Sequence, residues 1–166
     1  MKQPQVIVLE ADGWLTKQLR ELANESRWLV RAARTPEAAL TLARGLGPVL
    51  LLVQFEPADE KPAPFALIAD VHRLAPDVPV IAVADSKLPD AERAAWTAAL
   101  LDLGARYVLF PPLTRPILED VVSGLLTATI RRVIGDEVPV PVKPTPKPRP
   151  PATEEVIDLA DEDVGT

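Results

Sequence analysis

Apolar and polar positions along this chain alternate between two periods that trade places at regular intervals. Val6–Glu10 is an apolar run suited to a buried strand, closed by the turn signal Asp12-Gly13. Trp14, Leu15, Leu19, Leu22 and Ala23 then recur at helical spacing as far as Ser26. A short second strand is predicted over Trp28–Ala32. Thr35-Pro36-Glu37 supplies a cap, a first-turn proline and a first-turn acid, so a second helix runs from there to Gly45 or Gly47. Val49–Phe55 is apolar on both faces, as a strand at the centre of a parallel sheet must be. A polar, proline-rich loop follows over residues 56–64.

Phe65, Ile68, Ala69, Val71, His72 and Leu74 outline a third helix that ends before Pro76. A fourth strand is predicted over Val78–Ala84 and a fourth helix over Asp90–Leu103, with Gly104 at its C-cap. The last pair is a fifth strand over Tyr107–Phe110 and a long helix to Ile134, opened by Thr114 as its cap. Five strand–helix units in strict alternation define an α/β class, a doubly wound five-stranded parallel sheet with helices on both faces. Sites in such sheets lie beyond the strands' carboxyl ends, where the strand order reverses. That selects residues 10–13, 54–58, 84–86 and 110–113.

The composition changes after Gly135, dividing the chain into a folded domain (1–135), a proline-rich linker (136–153) and an acidic tail (154–166). Seven of the 13 residues from Pro139 to Pro151 are proline, interleaved with Lys143, Lys147 and Arg149. This stretch is expected to be an extended polyproline arm reaching roughly 40 Å, either a spacer or a ligand for a polyproline-binding groove. In EEVIDLADED, residues 154–163, Val156, Ile157 and Leu159 form a short apolar stripe among acids. Two readings stand for it: a docking segment that adds a strand to a partner's sheet edge, or a disordered, solubilising tail.

Charge follows the same division. Residues 1–135 hold 15 basic and 16 acidic side chains, whereas residues 136–166 hold 3 and 8. A nearly neutral body offers no nucleic-acid footprint. The chain has no cysteine, and His72 is its one histidine, which excludes a thiol nucleophile and argues against a histidine-based triad or metal site. The apolar run at the N-terminus is too short for a leader or a membrane span, so a cytoplasmic location without membrane association is expected. Neither GxGxxG nor a Walker pattern occurs, and seven glycines in all argue against dinucleotide or flavin binding. No cofactor and no enzymatic activity are therefore expected.

Four fragments in order, VIVLEADG, PVLLLVQFEP, DVPVIAVADS and GARYVLFPPL, resemble the receiver domain of two-component response regulators over about residues 4–134. The resemblance implies the flavodoxin-like strand order 2-1-3-4-5. In that family an acid pair after strand one holds magnesium, and an aspartate on strand three accepts the phosphoryl group. A hydroxyl after strand four and a lysine after strand five bind the phosphate. Carried onto this chain, the pair is Glu10 and Ala11, with Asp12 next along, and the acceptor is Gln54. The hydroxyl position is Ala84, with Ser86 two residues on. The lysine position is Pro111 when Gly104-Ala105 is aligned, or Phe110 when Tyr107 is. An amide has no carboxylate nucleophile with which to form an acyl phosphate. Glu10 and Asp12 without the acceptor carboxylate make a poor magnesium cage.

The resemblance thus implies a degenerate pocket (Glu10, Ala11, Asp12, Gln54, Ala84, Pro111) in a pseudo-receiver. Its function would be protein–protein interaction in a two-component-type pathway, with the tail recruiting a partner. The alternative is an atypical response regulator that answers to a small ligand or is phosphorylated on Ser86. Glu10 and Asp12 read more simply as a solvated strand end and an Asp-Gly turn than as a cation site, and Gln54 as a neutral plug. The family's partner face, helix four with strand five and helix five, gives Trp96, Leu100 and Tyr107 as candidate contacts and is open to homodimerisation. Trp96, Leu100 and Leu103 follow an i, i+4, i+7 pattern, which more often marks a core stripe. The family commonly has a cis peptide before the proline after strand five, and Pro111-Pro112 keeps that option.

Overall fold

A computed structural model of the chain describes residues 2–135; the linker and the tail residues Val156, Ile157 and Leu159 lie outside the described residues. Ten elements alternate. They are β1 (Gln5–Leu9), α1 (Trp14–Ser26), β2 (Leu29–Ala33), α2 (Pro36–Ala43), β3 (Val49–Phe55) and α3 (Ala63–Leu74), then β4 (Val80–Ala84), α4 (Asp90–Leu103), β5 (Tyr107–Leu109) and α5 (Arg115–Ile134). The sheet is parallel throughout, in the order β2-β1-β3-β4-β5, as expected.

The period-2 alternation of the strands divides the interior in two. Ile7, Leu51, Val53, Phe55, Val80 and Ala82 face α2, α3 and α4. Val6, Val8, Leu50, Leu52, Ile81 and Val83 face α1 and α5. The helices answer with stripes at helical spacing: Leu15, Leu19 and Leu22 on α1, and Leu118, Val122 and Leu126 on α5.

Element edges shift where backbone chemistry overrides composition. Trp28 lies before β2, buried against α1 and α5, because Arg27 takes a left-handed φ of 57° that delays the extended run. β4 begins at Val80, since Pro79 has no N–H for the ladder and contributes only its carbonyl, to Leu51 N at 3.0 Å. Thr35 caps α2 as expected, accepting from Ala38 N at 3.2 Å. Thr114 occupies the cap position of α5, but its hydroxyl makes no capping bond, which corrects the expectation for that helix start.

Gly104 ends α4 at φ 114°, where its N–H reaches back to the carbonyls of Leu100 and Leu101. Two constraints meet there. The left-handed backbone favours glycine, and a Cβ would collide with Cβ and Cγ of His72 on α3. His72 itself is exposed, as expected for a helix-surface residue. Gly104→Ala is therefore expected to destabilise the domain by about 2 kcal/mol or more. Urea unfolding checks this, and a loss below about 0.5 kcal/mol would show that neither constraint holds.

Candidate functional site

The carboxyl ends of β1, β3 and β4 converge where the strand order reverses, and Gln54 sits at their centre. Its carbonyl Oε1 accepts from Ala11 N at 2.9 Å, and its Nε2 donates to Asp85 Oδ1 at 3.2 Å. One neutral side chain thus ties the loop after β1 to the loop after β4. Asp85 is anchored from the other side too, its N–H donating to Phe55 O at 2.9 Å.

Glu10 has a role that composition does not reveal. Its Oε2 accepts from Leu15 N and its Oε1 from Thr16 N, both at 2.8 Å. A carboxylate placed on the first free amides of a helix satisfies donors that otherwise lack partners and complements the helix dipole. Gly13, at φ 78°, provides no side-chain cap for α1, so Glu10 supplies one from six residues before Thr16. Asp12 closes its own turn, accepting from Trp14 N at 3.1 Å. The Asp-Gly turn read from the sequence is present.

A second acidic group lies beside the first. Glu56 Oε1 accepts from Ser86 Oγ at 2.8 Å and from Ala58 N at 3.0 Å. Partial burial, then the nearby charges of Asp12 and Glu56, raise the Asp85 carboxyl above its ordinary range. Asp85 was within reach of sequence reasoning, since residues 84–86 lie in a selected loop. The family's hydroxyl position is Ala84, one residue before it.

The pocket positions come together. Asp12, Gln54, Ala84, Asp85 and Pro111 line one small cavity of about 210 Å³. Glu10, Ala11 and Gln54 line an adjoining one of about 440 Å³ with Glu56, Lys61 and Phe65. The geometry also decides between the two alignments after β5. Pro111 borders the Gln54 cavity, whereas Phe110 turns to the other layer and packs edge-on against Phe55 at 6.4 Å. The Pro111-Pro112 peptide is cis.

Magnesium does not fit these donors. Both Glu10 oxygens are taken by helix amides, and Gln54 offers a neutral oxygen already bonded to Ala11. Among the described residues no group of three carboxylate or imidazole side chains is placed to hold a metal ion.

Of the expected partner-face residues, Tyr107 is about half exposed. Leu100 is fully buried, which corrects its placement on a contact surface: it faces the sheet as the core-stripe reading requires. Trp96 is half-buried, stacked on Phe65 at 5.4 Å and 19° and tilted against Phe55 at 5.5 Å. Its indole packs inward and is no free anchor.

No family model matches the chain, and a search of curated proteins finds no match. Solved structures do resemble it. A response regulator receiver domain protein (CheY-like) from Methanospirillum hungatei JF-1 shares 15% identity over 79% of this chain and 99% of its own, at a TM-score of 0.59. The signal receiver domain of an HD domain-containing protein from Pseudomonas fluorescens Pf-5 shares 18% over 80% and 93%, at 0.60. A response regulator from Burkholderia multivorans, solved in solution, shares 21% over 75% and 95%, at 0.56. The fold is that of response regulator receiver domains.

Asp85 yields a pH-dependent prediction. Its raised pKa means that the folded protein holds this proton more tightly than the unfolded chain does. Stability is thus lost as pH rises through and above the ordinary carboxylate range, and Asp85 has no such effect in acid. Asp85→Asn keeps an oxygen for Gln54 and removes the charge. The variant is expected to melt higher than the native protein at pH 7, with the gap closing towards pH 3. Equal melting temperatures at pH 7 would refute the repulsion.

Proposed function

We propose that this protein is a pseudo-receiver, a receiver fold that signals in a two-component-type pathway by binding a protein partner and not by taking up phosphate. The carrying observation is the Gln54 lock. The side chain at the acceptor position spends both ends of its amide on structure, one on Ala11 N and one on Asp85. A phosphoryl group there would find no carboxylate at the acceptor position to attack it and no lysine from the loop after β5 to neutralise it, since Pro111 borders the cavity. Carboxylates surround it: Asp85, Asp12 and Glu56.

The same electrostatics weigh against phosphorylation of Ser86. Its hydroxyl already donates to Glu56, and a phosphate of nearly two negative charges would be set among carboxylates. A non-catalytic role, a cytoplasmic location and the absence of a cofactor belong to this reading. No helix among the described residues is long and apolar enough to cross a membrane. The linker and tail would carry recruitment, with the folded domain as anchor.

Two experiments test the proposal. Gln54→Asp loses the donor to Asp85 and adds a like charge beside it, while Ala84 and Pro111 stay as they are. Incubation with acetyl phosphate and magnesium is expected to leave this variant unlabelled; stable stoichiometric labelling would show that one residue alone disables the site. Affinity capture from native lysate should then compare the full chain with a version ending at Gly135. Loss of partners with the tail is the expected result. Partners retained by the shorter chain would move the binding to the receiver-like surface, and the absence of any specific partner would overturn the interaction role.

A further inference from the structure

The outer edge of β2 is open. β2 pairs with β1 on one side, and no strand among the described residues lies on the other. A bare edge is a template for another strand unless something covers it. Cations are strung along this edge: Arg27 before β2, Arg31 within it and Arg34 beyond it. All three are exposed, and none is in an ion pair among the described residues. Beside the strand runs an open groove of about 870 Å³ against α1, which adds Lys17 and Arg20. Of the acids lining it, Glu10 is engaged by helix amides and Glu21 by Arg115, leaving Asp12.

We propose that residues 154–163 of this same chain, EEVIDLADED, add to β2 as a sixth, parallel strand. One register aligns the two segments along their length. Glu154 falls opposite Arg27, Asp158 opposite Arg31 and Asp161 opposite Arg34. Between them Val156 meets Leu29, Ile157 meets Val30, Leu159 meets Ala32 and Ala160 meets Ala33. Leu29 is partly exposed at 39%, an apolar side chain at a free edge with room for a neighbour. Seven of the eight pairs from Glu154 to Asp161 match charge with opposite charge or apolar with apolar, Glu155 opposite Trp28 being the exception.

The path also fits. α5 ends at the rim where the strands begin, because Arg132 lies 3.7 Å from Asp77, which precedes β4. β2 starts on that same rim, so a segment arriving from it enters parallel to β2. The linker, residues 136–153, reaches roughly 55 Å when extended, against a sheet about 20 Å wide. The opposite edge, β5, is three residues long and has no such ladder of arginines. Docked there, the tail is held on its own domain, and a partner must displace it. This rests on the reading of the tail as a docking segment.

Amide hydrogen exchange on the full chain tests the docking. In the native protein the outward β2 amides, those of Val30 and Ala32, are expected to exchange about tenfold more slowly than in Ile157→Asp/Leu159→Asp, with β3 unchanged, because the Leu29 N–H is already spent on Pro4 O on the β1 side. Both substitutions lie outside the described residues, and unchanged β3 exchange shows that the domain remains folded. Arg31→Glu should release the edge in the same way, and adding Asp158→Arg should restore it. Equal β2 exchange in the native protein and the tail variant overturns the proposal. So does protection that vanishes on dilution, which would mean the tail of a second copy. A tail that captures partners but leaves β2 exchange unaltered sinks this inference alone and leaves the interaction role standing.

Discussion

The structure depends on the burial of β3 from both sides. Leu50, Leu51, Leu52 and Val53 have no exposed surface, and they point by turns into two separate cores. A strand so placed cannot slip by one residue, because every side chain would change layers. It fixes β1 on one flank and β4 on the other, and with them the meeting point of three carboxyl-end loops. At about 25 cal/mol per Å² of apolar surface removed from water, this burial also stabilises the domain. Gln54 is the residue where that rigid strand emerges, so the position of its amide is inherited from the core.

The acids around Gln54 are engaged by backbone amides. In a phosphate-binding site, carboxylates after the first strand gather a cation. Here Glu10 faces the amides that open α1, and Asp12 shapes the turn between them. The placement of Glu10 is thus explained by helix geometry. Asp85 is the exception, since it stands against Asp12 and Glu56 with one neutral donor for company. The site holds together through amide dipoles, Gln54 above all.

Most of the fold was legible because the signals agreed. The double-faced run at Val49–Phe55, the Thr35-Pro36-Glu37 start and the stop at Gly104 each have one physical reading, and the structure has them at those residues. Boundaries failed where a single backbone feature decided, as at Pro79 and Arg27. The meeting of Gln54, Ala84 and Pro111 was legible too, since each follows the end of a well-defined strand, and the structure sets them around one cavity. The bonds of Glu10 and Gln54 were not. They join residues up to 43 positions apart, and nothing in a local pattern says that an amide oxygen will meet Ala11 N. Leu100 was misplaced for a related reason. Its spacing with Trp96 and Leu103 favours a core stripe, but α4, rich in alanine, gives little contrast between its faces.

Four aromatic rings sit under the loops of this site. Phe55 at the end of β3 touches Phe65 of α3, Trp96 of α4 and Phe110 after β5, all within 6.4 Å, and Arg93 lies over the outer ring. Close-packed rings do not move singly, because each fills the space its neighbour would need. The cluster therefore acts as a keystone. It joins the ends of two strands, the start of α3 and the middle of α4 into one mechanical unit, so a displacement of α4 would be felt beside Gln54 as a push on the whole block.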